Sequence, residues 1–519
     1  MPNKIMEDFK SGINHQDPVY DLAEDECYLM NNIRYQNRII ESIPGTQRFH
    51  DTALEDNATC IMPYYNDETD DSQILCAAGA NIYKQDKQSN DFVAIKTNLT
   101  PNKISSFALR FGIMYIPSES DGLMKYQGGQ VIETVGSGLT APGSFKQIVY
   151  MREIDRMFGI RSSAILGQIT WCDLDSGGSA NPESWDAANV IRFKLKDGEI
   201  VEGAGILYGK LIVFCTYTTW IFYVSGNEEN WRLEEAPTGV GLVALNTLRK
   251  VGNEYWFLGD SPQTGLGIYA FNGSTSRKLT THVDPIFTSI NRDKIELCAA
   301  EYHDDLYTFS FPKGSDSYPR TSIDLDTVNL RSNGVPAVYG THDFGFKCSA
   351  VLNSRHYNNE FLIGDANDKY IYKEHGTTWK STHDTVGSTI YNRFVSQVYS
   401  DEVNIMKLYR EFAVLFKPTG YFEAIFNAYL SYGTRTEPNK FVPIGNVSST
   451  LGEFNVFSNR IMGNPQFSEA WYPTAKRGSA VQFEILNNIN ATKLAVSGFR
   501  YGYTNLYTSR IAQYAQSTN

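Results

Sequence analysis

The sequence predicts an all-β fold: a β-propeller of roughly six to eight blades with an additional antiparallel β-sandwich domain. Three observations predict it. Aromatic residues make up 13% of the 519 residues, with Tyr 32, Phe 29 and Gly 41, a mixture that suits half-buried strands joined by tight turns. Short apolar runs recur in groups separated by roughly 40–60 residues, longer than the spacing of single strands in a plain sandwich. The stretch Ala204–Thr280 then shows one order of parts twice. Gly205–Phe214, a turn and Trp220–Gly226 are followed by Leu248–Leu258, a Gly-rich turn and Gly267–Gly273.

Residues 1–50 read as an N-terminal arm, in which Leu29–Tyr35 and Arg38–Ile40 flank a turn at Gln36-Asn37. Such an arm is suited to close a ring by pairing with a strand from much later in the chain. Residues 51–387 carry the repeated units, starting near Thr59, Ile104, Gln147, the two central copies, Leu297 and Lys347. Between the third and fourth, Ile191–Lys196 and Glu199–Val201 alternate in polarity around Asp197-Gly198, which predicts a hairpin with a type I′ turn. One short helix is predicted over Asp284–Ile290, with Asp284 capping and Pro285 at its first position.

The texture changes after residue 388. Arg393–Tyr399, Leu408–Phe416, Tyr421–Phe426, Ala480–Ile485 and Leu494–Tyr501 are longer strand-like runs, so residues 388–508 are expected to form the separate sandwich, a platform or docking domain. Residues 509–519 form a polar tail.

The formal net charge is −12 and no window is strongly basic. That disfavours a protein that grips nucleic acid through a cationic face, while an acidic wall keeps passing DNA from sticking. The seven cysteines Cys27, Cys60, Cys76, Cys172, Cys215, Cys298 and Cys348 are scattered and lack C-x-x-C spacing, which predicts buried reduced thiols. Met1–Asp8 lacks the apolar run of a signal peptide, and no apolar stretch approaches the ~20 residues needed to span a bilayer. Synthesis and assembly in a cytoplasm follow as the expectation.

No motif assigns a catalytic residue, a cofactor or a metal site. His15, His50, His282, His303, His342, His356, His375 and His383 lack metal-ligand spacing and read as surface or internally bonded groups. Asp324–Asn329 and Asp365–Asp368 resemble the start of a calcium loop but lack its Gly and closing Glu, so they read as turn residues. Glu234-Glu235, Asp304-Asp305 and Asp70-Asp71 read as solvated turns, because strand neighbours point to opposite faces and cannot straddle a glycosidic bond. Gly239-Val240-Gly241 is too short for a dinucleotide fingerprint.

More specific are three segments in order: Met151–Gly159, Gly167–Leu174 and Asn181-Pro182-Glu183-Ser184-Trp185. This series resembles the tail hub or tail nozzle proteins of short-tailed bacteriophages, the packaged-DNA stabilisation family, crAss-like phages included. In that family an N-R-hydrophobic strand precedes V-Y-W-S-D/E and P-E/D-x-W. Gly205–Gly226 is similar to the family's G-x-x-x-x-G-x-L-I-V-F strand and its successor, and Gly239–Leu248 with Tyr255–Gly259 and Gly267–Gly273 to a later run. Asn32-Ile33 with Ile43–Thr46 resembles its N-hydrophobic and R-P-G-T elements, although Ser42-Ile43 stands where a basic residue is usual and Cys172 where a Ser is. By motif the resemblance spans residues 20–290.

The resemblance implies a structural virion protein without enzyme activity. It implies a homo-oligomeric, hexameric ring below the portal and adaptor ring, with tail fibres or spikes and further tail ring or plug proteins as partners. Genomic double-stranded DNA would pass through the lumen during ejection and be retained there after packaging. Lumen-lining and partner-docking residues are left open. The alternative reading is a carbohydrate-binding or glycan-cleaving β-propeller, motivated by the aromatic content, although the repeated S-x-D-x-G-x-x-W box of sialidases is missing.

Overall fold

The computed structural model describes residues 3–66, 68–129, 132–135, 145–161, 167–354, 357–374, 378–379, 388–400, 405–416, 422–430, 434–435, 440–444, 468–489 and 494–506. Strands account for 57% and helix for 6%. The chain forms two compact units: Gln47–Ser322 with Phe344–Glu374, and Met1–Thr46 with Ile323–Asp343 and His375–Asn519. Tyr421, His356, His375, His383 and the tail 509–519 lie outside the described residues.

The first unit is a succession of antiparallel sheets in chain order. The first four each have four strands, and they span Ala58 to Lys96, Ala108 to Thr134, Phe145 to Arg192 and Val201 to Glu235. In the fifth, Gly241–Leu242 and Arg249–Val251 share the edge of Glu254–Ser261, followed by Gly265–Phe271 and Ser276–Lys278. A sixth begins with Ala299–His303 and Leu306–Phe311, and a seventh contains Phe346–Ser354, Tyr357–Asp365 and Ile371–Glu374. Along the outside of the seventh runs the start of the unit, where the Phe49 N–H donates to Ile371 O (2.9 Å) and the Leu54 N–H to Lys369 O (3.0 Å).

Each sheet buries one face on the next. Met62 and Leu75 meet Met114 and Met124 between the first two, and Tyr115 and Leu123 meet Phe145 and Met157 between the second and third. Phe158 and Trp171 meet Val213 and Phe222, and Phe214 meets Phe257 and Phe271. The Tyr307 hydroxyl donates to Thr247 O (2.6 Å) between the fifth and sixth, and Ala299 packs with Phe346 and Phe361 between the sixth and seventh. The last contact joins the seventh sheet to the first, through Cys348, Ala350 and Leu362 against Ala58, Ile61 and Ile74. Alternating apolar residues on both faces of each sheet are what such stacking demands.

In the second unit, two sheets bring aromatic side chains against each other: Phe483 and Phe499 stack at 5.2 Å, and Phe394 and Phe499 at 5.6 Å. The expected boundaries at residues 50 and 388 differ from the compact units because the arm is woven into this one. Asn3–Met6 pairs antiparallel with Phe499–Gly502, and Ile40-Glu41 pairs with Ala495-Val496. The expected hairpin near residue 36 is present, Ile33–Gln36 against Ile39–Ser42, turning at Asn37 and Arg38 with φ of 52° and 63°.

Four local expectations need correction. Ile191–Val201 is not a hairpin: Val190–Arg192 pairs with Gln168–Thr170, whereas Val201 starts the next sheet. The turn at Asp197-Gly198 survives as a link between sheets, because the Glu199 carboxylate accepts the Lys196 N–H (3.1 Å) and the Tyr217 N–H (3.3 Å), while Phe193 and Leu195 enter the inter-sheet core. The helix covers only Asp284–Thr288. Its N-cap is Val283, and Asp284 instead pairs with Lys278 at 2.7 Å. Asp324–Asn329 lies in the strand Thr321–Leu330, not in a turn; fully buried Asp324 sits 3.0 Å from His342 Nε2 and 3.3 Å from Arg34 Nη2. Glu234-Glu235 lies in the exposed edge strand Arg232–Glu235.

Candidate functional site

The first unit encloses a cavity of about 910 Å³, and all seven sheets contribute their innermost strands to its wall. One end is set by the starts of those strands, including Thr59, Ser105, Gln147, Ala204, Asn246 and Cys348; the other by the residues entering the first hairpin turns, including Leu109, Arg152, Ile206, Lys250 and Tyr302.

Several polar side chains in and beside this wall bond neighbouring strands. The Gln147 amide accepts the Ala204 N–H (2.7 Å) and donates to Ala204 O (3.0 Å), which imitates a strand pairing across two sheets. Lys146 pairs with Glu202 beside it. Across the fifth, sixth and seventh sheets, Arg249 Nε donates to Glu301 Oε1 (3.1 Å) and Ser349 Oγ to Glu301 Oε2 (3.0 Å). Glu301 Oε1 also accepts the Tyr302 N–H (3.2 Å), so both carboxylate oxygens are occupied. Partners of this kind are what buried carboxylates and amides require.

Glycines let the sheets come this close. A Cβ on Gly205 would lie 2.3 Å from the ring of Tyr255, whose hydroxyl accepts the Ile206 N–H (2.8 Å). One on Gly241 would lie 2.1 Å from the backbone oxygen of Cys215.

At the hairpin end, Asp155 ties the second sheet to the third. Its carboxylate takes Arg110 Nε (2.9 Å) and Nη2 (2.8 Å), the Tyr150 hydroxyl (2.8 Å) and the Ala180 N–H (3.0 Å). The Arg110 guanidinium, with the Ala180 and Tyr150 bonds, holds its carboxyl down at about 2 from the ordinary 3.8. A depressed pKa contributes stability that is fully present above the unfolded value of 3.8 and lost as pH falls through 2. Asp155→Asn is therefore expected to cost about 1–2 kcal/mol at neutral pH and to flatten the acid-unfolding profile between pH ~4 and ~2, read by circular dichroism. Close by, the Trp185 indole donates to Pro182 O (2.7 Å) and its ring meets Phe145 at 4.8 Å, while Glu183 pairs with Lys125 at 2.6 Å.

The described histidines fall elsewhere, whereas Cys60 and Cys348 line the cavity. His50 bridges Thr52 O and the Ile371 N–H, and burial pushes its pKa down. His303 stacks on Phe361 at 4.0 Å. All seven cysteines are free and buried. Burial pushes the thiols of Cys215 and Cys348 up to about 12. Folded protein at pH 8 should leave a disulfide reagent unreacted for hours and release seven equivalents only in denaturant, counted by absorbance. Asp365–Asp368 is a turn in which Asp365 accepts the Asn367 N–H (2.7 Å), and Asp304 and Asp305 form a two-residue turn with φ of 46° and 63°. No group of three or more His, Cys, Asp or Glu suited to a metal occurs among the described residues.

Sequence reasoning did not find Gln147, Arg249, Glu301 or Ser349. They lie far apart in the chain, and no local spacing marks them.

No family model matches this chain, and no curated protein matches it. Among solved structures, the computationally designed Ika8 protein is similar with a TM-score of 0.39 and 8% identity, covering 67% of this chain and 96% of that one. The extracellular domain of a hybrid two component system from B. thetaiotaomicron is similar with a TM-score of 0.34 and 8% identity, covering 82% of this chain and 46% of that one.

Proposed function

We propose that the chain is a structural subunit of a bacteriophage tail: a ring-forming hub or nozzle below the portal and adaptor, a conduit for packaged double-stranded DNA and a platform for fibres or spikes. In this reading the first unit is a seven-bladed β-propeller and the second a β-sandwich. The observation that carries the propeller is the contact of the seventh sheet with the first, together with one cavity walled by the innermost strands of all seven. Structural use of the cavity is supported by Gln147, Arg249, Glu301 and Ser349, whose polar groups bond neighbouring strands.

The tail assignment rests on the ordered motifs. Their residues serve as fastenings: Asp155 bonds Arg110 of the second sheet, Trp185 packs in one cluster with Tyr115 and Leu123 of that sheet, and Gly205 and Gly241 admit the close approach of the fourth and fifth. A motif that encodes inter-blade fastening marks an architecture, not a reaction. Mass photometry of the purified chain tests the ring. Hexamers are expected, and a monomer at all concentrations that also fails to join a portal–adaptor complex would count against it.

The rival glycan-binding reading draws on two exposed aromatic side chains, Phe111 and Tyr208. Glycan-array binding that disappears in a Phe111→Asn, Tyr208→Asn variant would favour it.

A further inference from the structure

At the hairpin end of the cavity, Phe111 and Tyr208 occupy corresponding places, the first residue of the turn between the two innermost strands, in the second and fourth sheets. Both are exposed, at 67% and 63%, and both hold φ in the left-handed region, at 46° and 51°. A bulky side chain there is a true outlier, since Asn, Asp or Gly adopts this conformation at lower cost. Neither ring repays the strain by entering the core. Phe111 lies under the Arg110 guanidinium at 4.7 Å and meets the Tyr150 ring edge-on at 6.2 Å, and Tyr208 lies over Gly273 with its hydroxyl on Asn253 O at 3.3 Å, all at the surface.

Cations share this end. Arg152 and Lys250 are exposed and line the cavity mouth. Lys210, two residues after Tyr208, lies 4.8 Å from the ring centre of Tyr223, which also carries Arg232 at 4.6 Å. Among the described residues, Arg152, Lys210 and Lys250 have no carboxylate within ion-pair distance. Aromatic and cationic groups thus form an arc from the second to the fifth sheet, in which exposed Glu153 beside Arg152 is an acidic group, with the acidic turn Asp304-Asp305 on the sixth.

We propose that this arc is the surface by which one copy of the chain receives a second copy, an inference that rests on the ring reading above and locates its interface. Strain kept in exposed aromatic residues is strain kept for a contact, and Tyr, Phe and Arg are suited to anchor one. The occupant follows from charge. The chain carries −12 overall, so surface away from this arc is acidic on average and complements its unpaired cations. A contact between unlike faces is heterologous, the kind that closes into rings.

Sedimentation velocity on the full chain, with thermal unfolding in parallel, tests this. Phe111→Asn with Tyr208→Asn is expected to weaken assembly at least tenfold while the melting temperature stays equal or rises, because Asn relieves the left-handed strain. Arg152→Glu with Lys250→Glu is expected to weaken assembly as well, with the folded spectrum unchanged. If the wild type assembles and both variants assemble equally well, this interface is wrong and the ring reading stands. If the wild type stays monomeric alone and also fails to assemble on a portal–adaptor complex, both fall.

Discussion

Gly241→Ala is expected to destabilise the first unit by about 3 kcal/mol, at the upper end of what overpacking costs. The added Cβ would meet the backbone oxygen of Cys215 at 2.1 Å and the carbonyl carbon of Thr216 at 2.6 Å. This backbone, at the end of the strand Lys210–Cys215 and in the turn after it, is held by the Cys215 N–H to Thr218 O (2.8 Å) and the Thr216 N–H to Ile200 O (3.0 Å) and cannot rotate aside as a side chain can, so relief requires the fourth and fifth sheets to separate. Gly239→Ala, two residues earlier, is the control. Its Cβ has nothing within 4 Å, and only φ of +61° opposes it, so a loss of about 1 kcal/mol is expected. Urea midpoints of the two variants measure the difference. Equal losses would mean that backbone conformation, not the approach of the sheets, explains the glycine.

The second large effect is expected from Phe222→Ala, at about 4 kcal/mol. Phe222 is fully buried between the third and fourth sheets, with Phe158 at 6.1 Å, Trp171 at 6.2 Å and Trp231 at 5.7 Å from its ring. Truncation leaves a void that three large rings of a close-packed cluster cannot fill without leaving their rotamers. Water reaching Trp171 and Trp231 should shift their fluorescence to the red in the folded state, so the same sample reports the cavity and the lost stability. An unshifted spectrum with wild-type stability would show that the third and fourth sheets do not depend on this cluster.

These two positions also show what the sequence made legible. Phe222 sits in Trp220–Gly226, one of the runs whose recurrence predicted the repeated units, because alternation along a strand reports directly which side chains face a neighbour. Gly241 was visible as part of a short Gly-x-Gly, but its partner Cys215 is contributed by another sheet, and nothing near Gly241 in the chain encodes that approach. Asp197-Gly198 shows the opposite failure. A turn was correctly expected there but not its type: Gly198 has φ of +77° while Asp197 stays outside the left-handed region, so it is not type I′, and Glu199 uses its carboxylate to bond Lys196 and Tyr217 while the flanking runs join different sheets.

The fastening groups of the cavity were hidden for a related reason. Gln147 contacts Ala204, and Glu301 draws Arg249 and Ser349 from the sheets on either side. Such pairs are set by how sheets stand beside one another, which propensity and periodicity do not report. The arm does pair with strands from much later in the chain, as expected, but which strands it meets was not legible: Asn3–Met6 finds its partner at Phe499–Gly502, and a four-residue strand gives little signal alone.

Imaging of the purified chain mixed with a portal–adaptor complex tests the central claim most directly. The account predicts a six-fold ring of this protein seated on the adaptor, continuous with its channel. A protein that remains apart from the complex as single copies would contradict it.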